Sequence, residues 1–444
     1  LVFSFVAMKT LEVPINGRSV INVELEAEML GIDEVVVVAY GVQRREAATG
    51  SVSDIKSDKI EKSMVTTPEQ ALQGKVPGVQ VNNYSGQPGG NPEIYIRGIS
   101  SINSGTQPLY VVDGVPVASG SYGYSTANNN IMATLDPNDI ESMTVLKDAA
   151  AASVYGSRAA NGVVLITTKS GKKGETQFTL NTRYGMSEAA KSGDYRYMNP
   201  DELLGYHREA IRNAGFDPDN SADPEHYYPM SLLDGKQTDW FDQVFRNGQI
   251  RNVDLSASGG DEKNRFFIST GFHDEEGIMI GSNLQRYNLT VNLDHQANDR
   301  ISLGTKTKAS YSKTADLPQQ LFYASPIYGA QNLLLWENAY NEDGSINWNV
   351  PSNFGYNPLG VAKVNDQWDK FYRILSSVYL NWELLDGLTF KTNNSIDYFD
   401  SQGRNYYSPK MPDGSAVNGR LWSGLSKNIN LQTSNTLEYT NQFN

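Results

Sequence analysis

DIESMTVLKDAAAASVYGSRAANGVVLITTK, residues 139 to 169, reads as a strand, a short Ala-rich helix, a Gly/Asn turn and a second strand within one compact unit. Lys147 to Tyr155 has the length for about two helical turns. Gly156 and Gly162 then supply the backbone freedom needed to turn into VVLITTK.

Four stretches upstream belong with it. DEVVVVAYG (Asp33 to Gly41) contains four consecutive Val, whose β-branching favours an extended backbone; taken alone it reads as a buried strand or as an exposed extended segment. In TTPEQALQGKVPGVQV (Thr66 to Val81), Thr67 before Pro68 predicts the start of a short helix and Gly74 its end, with a strand following. IYIRGISS (Ile94 to Ser101) is a strand entered from a Gly/Pro turn. In PLYVVDGVPV (Pro108 to Val117), Asp113-Gly114 is a two-residue hairpin signal and Pro116 suggests a sheet edge. Residues 46–172 therefore read as one small α+β domain.

These motifs resemble the plug domain of TonB-dependent outer-membrane transporters, and their wording is similar to the SusC/RagA branch of nutrient importers. The resemblance is specific over 33–173 and over DWFDQVFRNGQIRNVDLSASGG (Asp239 to Gly260), and patchier beyond residue 300. It implies a mainly β fold: an α+β plug inside a transmembrane antiparallel β-barrel of about 22 strands, of which 173–444 would be the first part. Residues 1–28, two alternating runs joined by Pro14-Ile15-Asn16-Gly17, are expected to be a hairpin and the end of a carboxypeptidase-regulatory-like β-sandwich. Residues 29–45 would carry a TonB box, Asp33, Glu34, Val35, Val36, Val37, Val38, Ala39 and Tyr40, which adds a strand to the TonB C-terminal domain, with polar VQRREAATGS as a pliable tether. The opening LVFSF, without a Met or a leader, and an ending that lacks the family's terminal aromatic residue suggest a piece of a longer chain.

Composition is consistent with that resemblance. The 444 residues include 25 Tyr, 39 Gly, 4 His and no Cys, so zinc and thiol chemistry have few ligands, and no disulfide forms. A net charge of −13 argues against nucleic acid as a partner. No run of 18 apolar residues occurs, which excludes an ordinary transmembrane helix but not a barrel, whose strands alternate apolar-out with polar-in. From about Thr176 such strands follow one another near 177–186, 250–259, 263–273, 284–295, 300–312, 371–383, 388–399 and 428–440. In the clearest, Tyr287, Leu289, Val291 and Leu293 face one way, and Arg286, Asn288, Thr290, Asn292 and Asp294 the other. Their connections alternate between tight and very long. The long ones hold Trp240, Phe241, Tyr323, Tyr328, Trp336, Tyr340, Trp348 and Tyr356, read mostly as buried anchors. They also hold an amphipathic helix over Asp201 to Gly215.

No P-loop, GxSxG elbow or metal-binding spacing is present, so neither an active site nor a cofactor is expected. The site expectations follow from the plug. Arg97 and Arg158 are expected either at the solvated surface or paired with carboxylates of the barrel wall. Tyr122 and Tyr124, with Asn128, Asn129 and Asn130, make a polar aromatic plug loop, read either as facing substrate or as plain linker. The resemblance implies import of an oligosaccharide or peptide across the outer membrane of a Gram-negative bacterium. The partners it implies are TonB, a SusD-like surface lipoprotein and outer-membrane lipid. A siderophore or cobalamin importer, and a non-transporting surface glycan-binding or adhesin protein, are the competing readings.

Overall fold

The computed structural model describes residues 52–63, 65–101, 105–125, 129–148, 152–190, 196–317 and 323–440, with the backbone of 2–3, 11–12, 23, 35–38 and 41–44. Near the start, β1 (Val2–Phe3) pairs with β2 (Leu11–Glu12) in antiparallel register. That pairing lies inside the first alternating run rather than between the two runs, and the expected Asn16-Gly17 turn falls outside the described residues. β3 (Val35–Val38) pairs antiparallel with β4 (Gly41–Arg44), with Val38 opposite Gly41. The first residues of the expected tether are thus themselves a strand. The β-branched Val42 lies opposite Val37, so both strands carry residues that suit an extended backbone.

The α+β domain is built on a five-stranded mixed sheet. Its strands are β5 (Val52–Lys56), β8 (Leu109–Val112), β9 (Val115–Val117), β10 (Ile140–Leu146) and β11 (Val163–Thr168), in the order β5-β10-β11-β8-β9. Only β11 and β8 run parallel. β6 (Val79–Asn82) and β7 (Glu93–Ile96) form a separate hairpin. Asp113 and Gly114 both adopt positive φ, 49° and 83°, the requirement of a tight two-residue turn, and Pro116 lies on the edge strand β9 where its missing N–H costs nothing. Ile55, Val112, Ile131, Met132, Met143, Val145, Val164 and Ile166 close one core.

Two helices come out tighter than expected. The predicted Thr67 helix is a single 3₁₀ turn, Gln70–Leu72, because the Gln70 side chain turns back to accept from the backbone N–H of Thr66 at 3.1 Å. Of the Ala-rich helix expected over Lys147 to Tyr155, residues 149–151 lie outside the described residues; Ala152 is helical, its N–H donating to the Asp148 carbonyl at 3.0 Å, and a 3₁₀ segment broken at Gly156 with φ 67° continues over Ser153–Ala159.

The rest is one antiparallel sheet in sequence order: β12 (Gly174–Ser187), β13 (Gly248–Gly260), β14 (Asn264–Glu276), β15 (Asn283–Asn298), β16 (Ile301–Ala315), β17 (Asp366–Leu385), β18 (Leu388–Tyr407) and β19 (Arg420–Tyr439). Each of the eight alternating runs read from sequence lies on one of these strands. Connections 261–263, 299–300 and 386–387 lie along one rim, while 188–247, 277–282, 316–365 and 408–419 lie along the other. On the outward face Tyr287, Leu289 and Leu293 are exposed, whereas Arg286, Asn288, Thr290 and Asn292 are buried on the inward face. A soluble sheet with one wet face would show the opposite assignment.

Cross-strand register adds a feature the linear sequence hides. Phe272, Tyr287, Tyr311 and Tyr372 stand directly opposite one another on four successive strands, with ring centroids 5.0, 6.2 and 4.9 Å apart, near the long-loop rim. On β17 the next outward aromatic toward the other rim is Trp382. Ten residues separate Tyr372 from Trp382, about 33 Å along the strand. A strand tilt near 40° brings this to about 25 Å of vertical height, the thickness of the apolar band of a transmembrane barrel with an aromatic girdle at each interface. Among the described residues no helix is long and apolar enough to cross a membrane, which leaves crossing by strands untouched.

The long connections carry a core of their own. Trp240 is fully buried with Val244, Ala330, Leu333, Ala339 and Val350, and its indole N–H donates to the Leu334 carbonyl at 3.1 Å. The amphipathic helix is Pro200–Asn213, started by Asn199 in a reciprocal capping box with Glu202.

Candidate functional site: the interface of plug and wall

The α+β domain sits against the inward face of the eight-stranded sheet, and the contact is predominantly polar. Outward positions of the sheet are apolar, so alternation leaves polar side chains facing the plug. Three plug carboxylates meet them.

Asp113, in the turn between β8 and β9, lies 2.5 Å from Lys308 Nζ and 3.3 Å from Lys306 Nζ of β16. It also accepts from the Thr168 backbone N–H at 2.9 Å and its hydroxyl at 2.7 Å. Burial alone would raise this carboxyl, but the two ammonium groups and these hydrogen bonds outweigh it and hold Asp113 well below the usual carboxylate range. Asp139 accepts from Ser269 Oγ of β14 and Thr290 Oγ1 of β15, both at 2.6 Å. Burial first, then the neighbouring Asp136 charge, push it up to about 6.

Asp136 faces Arg286 of β15 at 3.5 Å. That guanidinium also donates to the plug carbonyls of Thr66 and Ala133 at 3.0 and 3.1 Å, so it reads plug backbone as well as charge. Burial works against the Asp136 anion, yet Arg286 and the Asn138 N–H outweigh it and hold the carboxyl's pKa below the ordinary value.

A second buried arginine is placed differently. Arg373 of β17 makes a two-pronged pair with Asp397 of β18, Nε to Oδ1 at 2.8 Å and Nη2 to Oδ2 at 2.9 Å. Its remaining Nη1 donates to Ile131 O and Thr134 Oγ1 of the plug, each at 3.3 Å. Asp397 in turn accepts from the Ala118 N–H at 3.2 Å. The pair is 1% exposed on both sides, so its charges are satisfied by one another and by the plug.

The sequence-expected site residues fall unevenly on this interface. Arg97 pairs with Asp148 of the plug itself, not with a wall carboxylate, and remains half exposed. Arg158 is exposed, with no ion pair among the described residues. The exposure of both agrees with the solvated-surface alternative, and the ion pairs across the described interface run the other way from the paired one: the wall supplies Lys306, Lys308 and Arg286, and the plug supplies Asp113 and Asp136. The reason is placement. Arg97 lies just past the end of β7, where Asp148 after β10 is the nearest carboxylate.

The plug loop is bound to the wall. Backbone N–H groups of Tyr124 and Ser125 donate to Asp369 at 3.0 and 3.1 Å, the Tyr122 carbonyl accepts from Ser401 at 3.0 Å, and the Tyr122 ring stands edge-on to Phe399 at 4.9 Å. The Tyr124 ring occupies the space where Gly424 has no side chain. Both rings keep an accessible face, Tyr122 at 37% and Tyr124 at 56%. Asn129 and Asn130 are buried instead: Asn130 caps the 3₁₀ turn Ile131–Thr134 through the Met132 N–H and donates to Glu69 at 3.0 Å. These two asparagines build the plug and do not face a substrate; Asn128 lies outside the described residues. Of the eight residues Asp33 to Tyr40, only Val35–Val38 are described, extended as expected but with one edge already paired to β4.

Arg286 and Arg373, the wall residues that reach deepest into the plug, were not singled out from sequence. The available signal was a charge on the inward phase at mid-strand, where a water-facing wall needs polarity but a filled one needs a partner. Among the described residues, no group of three or more Asp, Glu or His side chains is arranged to hold a metal ion.

Residues 44–163 match the family described as the TonB-dependent Receptor Plug Domain. The chain is 34% identical, over its whole length, to TonB-dependent receptor P39 of Formosa agariphila, covering 40% of that protein. It is 33% identical to TonB-dependent receptor SusC of Bacteroides thetaiotaomicron over 80% of this chain and 34% of that one. The solved RagAB peptide importer in its open-open state superposes with a TM-score of 0.76 at 28% identity, over 91% of this chain and 46% of that one. The chain thus spans less than half the length of each.

Proposed function

Because the chain belongs with the SusC-like TonB-dependent receptors, we propose that it forms the plug and first wall strands of an outer-membrane importer of large nutrients, oligosaccharides or peptides. The observation that carries this reading is the plug domain packed on the polar face of a sheet whose other face is apolar, with an aromatic row near the long-loop rim and Trp382 toward the other. A sheet built this way is suited to lipid outside and a hydrated, occupied lumen inside.

In this reading the TonB C-terminal domain adds its strand to the extended segment Asp33 to Tyr40. The β3 edge away from β4 has no strand partner among the described residues and is available for such pairing. Traction from TonB would then load the Asp113, Asp136, Asp139 and Arg373 contacts. A SusD-like lipoprotein would cover the rim that carries the long loops, and the accessible faces of Tyr122 and Tyr124 would meet incoming substrate. The full-length likeness to SusC-like receptors favours this importer over a siderophore receptor.

The test is growth of the native bacterium on a panel of glycans and peptides, with the complete gene intact or lacking the codons for Asp33 to Tyr40. Loss of growth on one nutrient class, with surface binding of that nutrient retained, is the expected outcome. Unchanged growth on every nutrient would remove energy coupling and leave a passive binding protein.

A further inference from the structure

Gly271, on the inward face of β14, leaves a gap into which three oxygens converge. Asp254 Oδ1 of β13, Asn288 Oδ1 of β15 and Asp136 Oδ2 of the plug lie no farther than 2.9 Å from where a Cβ on this glycine would sit. All three side chains are more than nine-tenths buried, and Asp254 Oδ1 and Asn288 Oδ1 have no hydrogen-bond partner.

The other oxygens of the two carboxyl groups are already committed. Asp254 Oδ2 accepts from Asn138 Nδ2 at 2.8 Å and from Asn252. Asp136 Oδ1 accepts from the Asn138 N–H at 2.9 Å and faces Arg286 at 3.5 Å. What remains is carboxyl against carboxyl across the plug-wall boundary, Asp254 Oδ1 and Asp136 Oδ2 both lying within 2.9 Å of the same point, the Cβ position of Gly271. Turning the Asn288 amide to present its N–H to one of them still leaves the two groups face to face. Two buried carboxylates in that position repel; one proton between them converts repulsion into a charge-assisted hydrogen bond.

We propose that Asp136 and Asp254 form a proton-binding site shared by plug and wall, a clasp that holds while the proton is present and loosens when it leaves. The groups around it are consistent with one proton. Arg286 of β15, 3.5 Å from Asp136, is the one cation in direct contact among the described residues. Lys308 of β16 is drawn to Asp113, Arg183 of β12 acts only through Asn138 at 3.0 Å, and Asp139 of the plug adds a further carboxyl nearby.

An exchange route is present as well. A cavity of about 60 Å³, large enough for water, is lined by Asn138, Asn252 and Arg286, which contact the two carboxyl groups, and by His273 and Glu275. His273 spans it, with Nδ1 3.2 Å from Asn252 Oδ1 and Nε2 3.1 Å from Glu275. A proton leaving the clasp would reach water in this cavity by way of the Asn138, Asn252 and Arg286 side chains that separate it from the pair.

The experiment uses the full-length receptor in membranes, wild type against Asp254→Asn and Asp136→Asn. Each amide keeps the shape and donates a hydrogen bond in place of the shared proton. Plug hydrogen exchange over residues 131–140, corrected for intrinsic rates, is expected to accelerate in wild type on raising pH from 6 to 9. The acceleration should be up to about tenfold per pH unit, the limit for one linked proton. Both variants should stay flat at the low-pH level, and the infrared C=O band of a protonated buried carboxyl seen in wild type should disappear from each. Should Asp254→Asn fail to assemble, Asp136→Asn reads the same two quantities. A wild-type pH profile that either variant reproduces, or a carboxyl band that survives in both, would overturn the clasp.

Discussion

Replacing Arg373 by Met tests whether the plug is held by polar contacts that satisfy one another. In the native protein the Arg373–Asp397 pair is buried, with separations of 2.8 and 2.9 Å, and it also takes two hydrogen bonds to the plug at 3.3 Å. Met leaves Asp397 ionised in a dry site with only the Ala118 N–H at 3.2 Å, a loss of about 3–5 kcal/mol by the usual cost of breaking a buried pair. Asp397→Leu leaves Arg373 with Ile131 O and Thr134 Oγ1 alone and should cost a similar amount. The double variant removes both charges, so only the plug hydrogen bonds are lost, about 1–3 kcal/mol. The singles should therefore sum to about 6–10 kcal/mol while the double loses far less, a coupling of at least about 3 kcal/mol. Hydrogen exchange of the plug amides at 131–134 in the full-length receptor reads this directly: each single variant should exchange about 150- to 5,000-fold faster than wild type, and the double variant much closer to wild type. Additive single and double effects would refute the reasoning, because they would mean that Arg373 and Asp397 hold the plug independently.

Asp113, whose pKa Lys308 and Lys306 hold below the ordinary value, contributes stability that is present above the unfolded carboxylate value near 4 and is lost as pH falls through the folded value. Asp113→Asn should therefore loosen the plug at pH 7 and abolish the acid sensitivity of the β8–β9 turn, measured by amide exchange at 112–115 between pH 2 and 5. Asp139, pushed up to about 6, has the opposite sign: its site favours the protonated form, so stability falls as pH rises from about 4 to 6 and the penalty is complete above that. Asp139→Asn should recover up to about 3 kcal/mol of plug protection at pH 8 and little at pH 4. At Gly162, where φ is +89° and a Cβ would lie 2.7 Å from Ile96 Cδ1 and 3.1 Å from Leu146 O, Ala should destabilise the plug by about 1–3 kcal/mol, seen as faster proteolysis of the β10–β11 unit. Tyr122→Ala combined with Tyr124→Ala should weaken substrate binding to the complete receptor at least several-fold, while binding unchanged from wild type would leave both rings as anchors only.

Reading from the sequence succeeded where one local rule dominates. Asp113-Gly114 demanded positive φ, Pro116 demanded an edge, and strand alternation assigned Tyr287 and Arg286 to opposite faces, because each depends on a residue and its immediate neighbours. The plug-wall partners depend on contacts as far apart in sequence as Ile131 and Arg373, and nothing local encodes them. The same holds for the row of Phe272, Tyr287, Tyr311 and Tyr372, which exists only in the register of four strands. For the plug arginines the sequence left solvated surface and wall pairing open, and position decides between them in the described structure: Arg97 pairs with Asp148 of its own domain, and both it and Arg158 are exposed. Asn129 and Asn130, polar and beside two tyrosines, looked like a binding loop, whereas a buried side chain that caps a 3₁₀ turn carries the same signature.

If the apolar face of the sheet meets lipid, as proposed, the polarity of the interface follows from it and sets how the plug can be released. A two-residue period that commits every second side chain to lipid commits the others to the lumen, so a plug that fills the lumen must meet Lys306, Lys308, Arg286, Asn288, Thr290 and Ser269 with acceptors of its own. Such contacts contribute about 0.5–1.5 kcal/mol each once exchange with water is counted, and a departing plug leaves each wall group free to bond with entering water. An apolar boundary of the same area would cost roughly 25 cal/mol for every Å² exposed, with no such replacement. Phe371, Leu375 and Phe399 do extend the plug core into the wall, and they lie beside Arg373, at the place where the plug is also fastened by charge. Release by traction at the N-terminal end should therefore proceed through the water-replaceable Asp113, Asp136 and Asp139 contacts first, with the aromatic patch and Arg373 parting last. Removing the patch by Phe371→Ala and Phe399→Ala should shorten the last stage of forced extraction and leave the earlier stages as they are.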